Sequence, residues 1–205
     1  AQGDLTRVSV KNDGSQSPTG GFRGVVSGDG RHVAFLSAED LTGTPTGGKV
    51  QLYVRDRVAG TTKLASVTAA GAVANENVDL GDPFNPFIDV SVDGRYLVFA
   101  SAATNLADGD TNAKEDVFRK DMATGELARI SVTSSGEQGN GDSTDPSVSG
   151  DGTRIAFRTA ATNILPGVPT FGVALRDTLA GTTTLVSSNS AGVQANDFAE
   201  RPSIS

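Results

Sequence analysis

Val26-Ser-Gly-Asp-Gly-Arg-His-Val-Ala-Phe35 runs from an apolar position through a polar turn back to apolar positions. The same order returns at Val90-Ser-Val-Asp-Gly-Arg-Tyr-Leu-Val-Phe99 and at Val148-Ser-Gly-Asp-Gly-Thr-Arg-Ile-Ala-Phe157. Asp-Gly supplies the positive φ angles of a tight hairpin, and the β-branched and aromatic flanks favour strands, so each copy predicts strand, turn, strand. The first strands fall at Gly24–Ser27, Phe87–Ser91 and Ser147–Ser149, the second at Arg31–Ser37, Arg95–Ser101 and Arg154–Thr159.

Behind each hairpin the chain repeats two further strands. Third strands are predicted at Val50–Asp56, Asp116–Asp121 and Gly172–Asp177. After turns at Ala59-Gly60, Thr124-Gly125 and Ala180-Gly181, fourth strands follow at Thr62–Val67, Glu126–Val132 and Thr182–Ser187. Leu5–Val10 with Gly14 matches these fourth strands with Gly71, Gly136 and Gly192, and Arg201–Ser205 matches Asp145–Ser149. The expectation is one all-β unit over 1–205. It holds three four-stranded antiparallel meanders at about 23–68, 86–133 and 145–188, with 5–10 and 202–205 as single strands of an incomplete shared sheet. Repeats diverge chiefly in the connections between second and third strands, where extra length costs little and function is commonly placed.

Pro146-Ser-Val-Ser-Gly-Asp-Gly-Thr-Arg-Ile-Ala-Phe157, its two cousins, and the pairs Arg55-Asp56 and Arg176-Asp177 resemble the PD40, or TolB-like, family of β-propeller repeats. The resemblance covers nearly the whole chain. It implies a toroid of blades around a central channel, with no activity of its own and usually more blades than this chain supplies. A blade buries its faces only against neighbours. The expectation is therefore either a piece of a longer propeller or a homodimer in which a second chain completes the ring.

Composition narrows the function. The chain has 205 residues, 37% of them hydrophobic and 5% aromatic, with 25 Gly, 8 Pro and no Trp. No apolar run is long enough to span a membrane. A net charge of −7 at pH 7 argues against nucleic acid, whose phosphates it would repel. Absence of Cys excludes disulfides, thiolate metal sites and cysteine nucleophiles, and suits an exported periplasmic or extracellular protein. The start, Ala-Gln-Gly-Asp, has no basic segment followed by an apolar one, so any signal peptide is expected to have been removed or left out.

One loop carries candidate metal chemistry. In Asp108-Gly-Asp-Thr-Asn-Ala-Lys-Glu-Asp116, oxygen donors stand at every second position: Asp108, Asp110, Asn112, the Lys114 carbonyl and Asp116. That alternation suits a short Ca²⁺ loop and resembles those of integrin-type propellers, although Ala113 stands where Gly would ease the bend. The alternative is an ordinary polar turn capped by its own Asn and Asp side chains. Leu41–Gly48 and Leu165–Phe171 lack carboxylates, so one such site is expected at most.

Nothing points to catalysis. The one histidine, His32, aligns with Tyr96 and Arg154 and reads as a packing residue, and there is no Gly-x-Ser-x-Gly elbow. Asp29, Asp93 and Asp151, and likewise Asp56, Asp121 and Asp177, recur once per repeat, which fits turns and inter-strand bonds better than one active site. Arg55, Arg119 and Arg176 fit the same account, pairing with carboxylates or with carbonyls between blades. Asp82-Pro-Phe-Asn-Pro-Phe87 is either a rigid partner-binding knob or packing over a blade edge. The functional expectation is a non-enzymatic scaffold that binds a protein partner. Its alternatives are the non-catalytic propeller of a larger hydrolase or peptidase, or a carbohydrate-binding propeller, the last weakened by the scarcity of aromatic platforms.

Overall fold

The computed structural model describes residues 5–78, 88–164, 171–189 and 201–205. Among them lie three four-stranded antiparallel sheets and no helix, and these are β-propeller blades. The first blade is β1 (Phe22–Val26), β2 (His32–Ser37), β3 (Gln51–Asp56) and β4 (Thr61–Leu64). The second is β5 (Ile88–Val90), β6 (Tyr96–Ser101), β7 (Asp116–Asp121) and β8 (Leu127–Arg129). The third is β9 (Ser143–Val148), β10 (Arg154–Thr159), β11 (Gly172–Asp177) and β12 (Thr182–Leu185). In each, strands pair with their sequence neighbours in order.

Each Ser-x-Asp-Gly turn braces itself. The Ser27, Ser91 and Ser149 hydroxyls donate to Asp29, Asp93 and Asp151, and each hydroxyl also accepts the amide five residues on, from His32, Tyr96 and Arg154. Each aspartate in turn accepts the amide two residues later, from Arg31, Arg95 and Thr153.

The fourth strands are shorter than expected. Beyond Leu64 and Arg129 the backbone leaves the ladder for small loops closed by the bridges Val67–Val73 and Val132–Gln138. Val10–Gln16 forms the same bridge, while residues 5–8 join no ladder. Arg23 and Asp145 adopt φ of 51° at bulges in β1 and β9, and Arg201 repeats the conformation at 55°.

The core sits between blades rather than within them. Ala34, Leu36, Leu52 and Val54 of the first blade pack against Ile88, Leu97, Phe99 and Phe118 of the second. Val98, Val117 and Ile130 meet Val148, Ile155 and Phe157 of the third. Side chains alternate across a strand, so successive residues of one strand serve two different interfaces. Burying Phe99 or Phe157 contributes about 1.5–3 kcal/mol, and each depends on the neighbouring blade to do so.

Candidate functional site between the blades

Asp56, Asp121 and Asp177 end the third strands, and each carboxylate holds the following turn and an arginine together. Asp56 accepts the Val58 and Ala59 amides at 2.9 Å and pairs with Arg31, whose Nη2 lies 2.6 Å away. Asp121 does the same with the Ala123 and Thr124 amides and Arg95, and Asp177 with Leu179, Ala180 and Arg154. Arg31 and Arg95 follow the turn glycine directly. In the third blade Thr153 takes that place, and the next residue, Arg154, reaches the carboxylate. Arg31 holds the Asp56 carboxyl well below its usual range, and Arg95 holds Asp121 down at about 2. Asp177 is lowered by the Ala180 amide and by Arg154. Carboxyls held this low stay ionised at neutral pH, which suits structural anchors and not general acids.

The expected set Arg55, Arg119 and Arg176 divides. Strand register places Lys120, not Arg119, beside Arg55 and Arg176: Val33 faces Arg55, Leu97 faces Lys120 and Ile155 faces Arg176. Lys120 Nζ donates to Val67 O at 2.7 Å in the preceding blade and to Gly125 O at 2.8 Å. Arg176 Nη1 likewise reaches Thr133 O and Gly181 O, both at 3.1 Å, while Arg55 bonds Thr62 Oγ1 within its own blade. Arg119 is one residue out of step, so its side chain leaves the opposite face of β7, towards the third blade.

There Arg119 completes the joint between the second and third blades. Its guanidinium lies 4.8 Å from the Tyr96 ring centre, and its Nη1 donates to Gly152 O and Thr178 Oγ1, both at 2.9 Å. At the joint before it, β3 presents Val54 in place of Arg119, and β2 presents His32 in place of Tyr96. The shorter side chains leave a cleft of about 350 Å³ reaching from Val54 and Asp56 to Asp93, Gly94 and Met122. His32 lies against Gly94, its Nε2 3.6 Å from Asp56 and its Nδ1 buried without a hydrogen-bond partner. The chain's single histidine lines this cleft.

The loop expected to hold Ca²⁺ is organised around an arginine. Asp110 Oδ2 and Asp116 Oδ2 each lie 3.4 Å from the Arg129 guanidinium, and all three side chains are at most 8% exposed. Gln138 donates to Asp110, and Ser131 donates to Asp116. Asn112 Oδ1 is taken by the Lys114 amide, and its Nδ2 donates to Gly139 O. Asp108 stays exposed on a turn, and Ala113 adopts a φ of 53°, the bend at which glycine was missed. No group of three or more His, Cys, Asp or Glu side chains able to hold a metal occurs among the described residues. Arg129 was not singled out by its sequence context, yet a signal was present, since it faces Phe118 where Leu64 faces Tyr53 and Leu185 faces Ala174.

A second depression, about 410 Å³, lies where the inner strands meet, among Gly28, Val92, Gly150 and Ser147. Its carboxylate, Asp89, accepts Ser147 Oγ and the Val148 amide, so it links inner strands. Ile204 N donates in the same sense to Ser147 Oγ. Asp82–Phe87 lies outside the described residues. Among the described residues no helix is long and apolar enough to cross a membrane.

Self-bracing hairpins, three meanders and cores between sheets define a β-propeller fold. Comparison with solved structures finds the putative TolB from Agrobacterium tumefaciens, 16% identical over 80% of this chain and 49% of that one, with a TM-score of 0.48. Tricorn protease matches at 17% identity over 81% of this chain and 13% of its own, with a TM-score of 0.49. The β-propeller domain of the Trilobed protease from Pyrococcus furiosus, described as having an open velcro topology, matches at 12% identity over 81% and 43%, with a TM-score of 0.46. This chain thus spans half or less of the length of each. No family model matches the chain, and neither does any curated protein.

Proposed function

We propose that the chain is a non-enzymatic propeller module that acts as a scaffold for a protein partner. One observation carries this reading: the charged groups that recur in every blade are committed to turns and joints. The turn aspartates are bound by serine hydroxyls and backbone amides, and the strand-end aspartates by arginines. Lys120 and Arg176 are spent on carbonyls of the preceding blade. Among the described residues the cleft at the first joint offers a ligand side chains that are not all committed in this way, which suits recognition.

The exported setting belongs to the same proposal and rests on the Cys-free sequence. Fractionation of cells producing the natural protein checks it. For the module itself, the purified chain is incubated with chromogenic ester, peptide and glycoside substrates. No turnover above a blank is expected. Turnover that co-purifies with the chain through successive columns and disappears on an Asp→Asn substitution would overturn the reading.

A further inference from the structure

At the two joints between the described blades the strand positions correspond, but three of the four residues that meet there differ. At the second joint a guanidinium fills the space: Arg119 lies over Tyr96 and bonds the turn carbonyl of Gly152 and the hydroxyl of Thr178. At the first joint the corresponding residues are Val54, His32, Gly94 and Met122, and a cleft of about 350 Å³ stands in the guanidinium's place. Two of the three parts that receive Arg119, a ring against the turn glycine and that glycine's carbonyl, are nevertheless present, while Met122 replaces the Thr178 hydroxyl. His32 lies against Gly94 as Tyr96 lies against Gly152. The carbonyl of Gly94 accepts no hydrogen bond among the described residues, whereas that of Gly152 is bound by Arg119.

We infer that the cleft at the first joint takes an arginine side chain from a partner protein, inserted as Arg119 is inserted at the second. The inference rests on the reading of the chain as a protein-binding module. Three features favour a guanidinium over other groups. It is planar and weakly hydrated, so it stacks on an imidazole face and donates edge-on to a carbonyl, which a compact ammonium does poorly. Met122, where the second joint has Thr178, gives its apolar stem a surface. The charged side chains lining the cleft balance, Asp56 and Asp93 against Lys63 and Arg95. Charge does not then repel the ligand at the cleft, and the net −7 of the chain draws a cationic partner towards it.

The test is titration of the ¹⁵N-labelled intact chain with N-acetyl-arginine-methylamide, and separately with the lysine counterpart, following amide shifts. Expected are saturable shifts at His32, Gly94 and Met122 with a millimolar Kd, about tenfold tighter for arginine than for lysine. Val54→Arg, which supplies the guanidinium from within, is expected to abolish them. Should that variant fail to fold, His32→Ala serves instead, with the arginine shifts expected to weaken severalfold in a well-dispersed spectrum. Absence of shifts, equal response to both probes, or shifts scattered over the acidic surface would each overturn the inference. The substrate assays decide the module reading separately: an inert chain that ignores arginine keeps that reading and loses this one.

Discussion

The Tyr96 ring occupies the space that any side chain on Gly152 of the following blade would need. Gly152 also holds a φ of 76°, so the position combines a left-handed backbone with a ring pressed against it. His32 and Gly94 stand in the same relation one joint earlier. The turn glycine therefore serves two levels at once, closing its own hairpin and receiving the previous blade. Gly152→Ala is expected to cost about 2–3 kcal/mol, part from the strained backbone and part from displacing the ring. Gly125→Ala is the control, because Gly125 has φ of 80° and open space around it. It is expected to cost only about 1 kcal/mol. Urea unfolding of both variants measures the difference, and equal losses would remove the ring from the account.

Acid should unfold the chain through its strand-end carboxylates. Arg95 holds the Asp121 carboxyl at about 2 against an ordinary 3.8. A carboxyl lowered on folding contributes stability that is complete above the unfolded value and disappears as the pH falls through the folded one. The window is thus about pH 4 down to pH 2, and Asp56 and Asp177, also lowered, add to it. Asp116 works in the opposite sense: burial raises its carboxyl, so protonation relieves a penalty as the pH falls. Urea midpoints measured from pH 7 to pH 2.5 should fall steeply below pH 4, and Asp121→Asn should flatten that slope. A slope unchanged in the variant would show that other groups drive acid unfolding.

The hairpins were legible because Ser-x-Asp-Gly stabilises its turn with its own side chains, so local chemistry and fold agree. Strand ends were less so: β4 and β8 stop where loops closed by Val67–Val73 and Val132–Gln138 begin, and those bridges leave little trace in an alternating pattern. The joints were legible only in part. Aligning Asp121 with Asp56 and Asp177 puts Lys120, not Arg119, in step with Arg55 and Arg176, and the pairing of Leu97 with Lys120 agrees, so that match was open to the sequence, while the partners of Arg119 in the next blade were not. The cleft was not legible at all, since it arises from Val54 and His32 being shorter than Arg119 and Tyr96 across two different blades.

Register makes Lys120 a test of the joint. Its ammonium is buried and donates to Val67 O and Gly125 O, one carbonyl in each of two blades. Lys120→Met removes both bonds and strands the carbonyls, at a cost of about 2–3 kcal/mol. Lys120→Arg is expected to stay close to the parent, because arginine occupies the matching positions 55 and 176. Thermal melts of the pair check both values. A methionine variant as stable as the parent would mean that the carbonyls are satisfied without the cation.

The loop between β6 and β7 separates an ionic joint from a metal site. Arg129 lies between Asp110 and Asp116, and a divalent ion there would have to displace a guanidinium already paired with both. We therefore expect the melting temperature to be the same in EDTA and in Ca²⁺ at equal ionic strength. Replacing Arg129 with leucine, the residue at equivalent positions 64 and 185, leaves two buried carboxylates uncompensated and should cost about 3–5 kcal/mol. Asp110→Asn with Asp116→Asn in the same chain removes that charge and should recover most of the loss. The two readings part on Asp108, which is exposed. If it is a metal ligand, Asp108→Ala removes a Ca²⁺-dependent rise in melting temperature. If Arg129 alone holds the loop, the substitution changes nothing in either buffer.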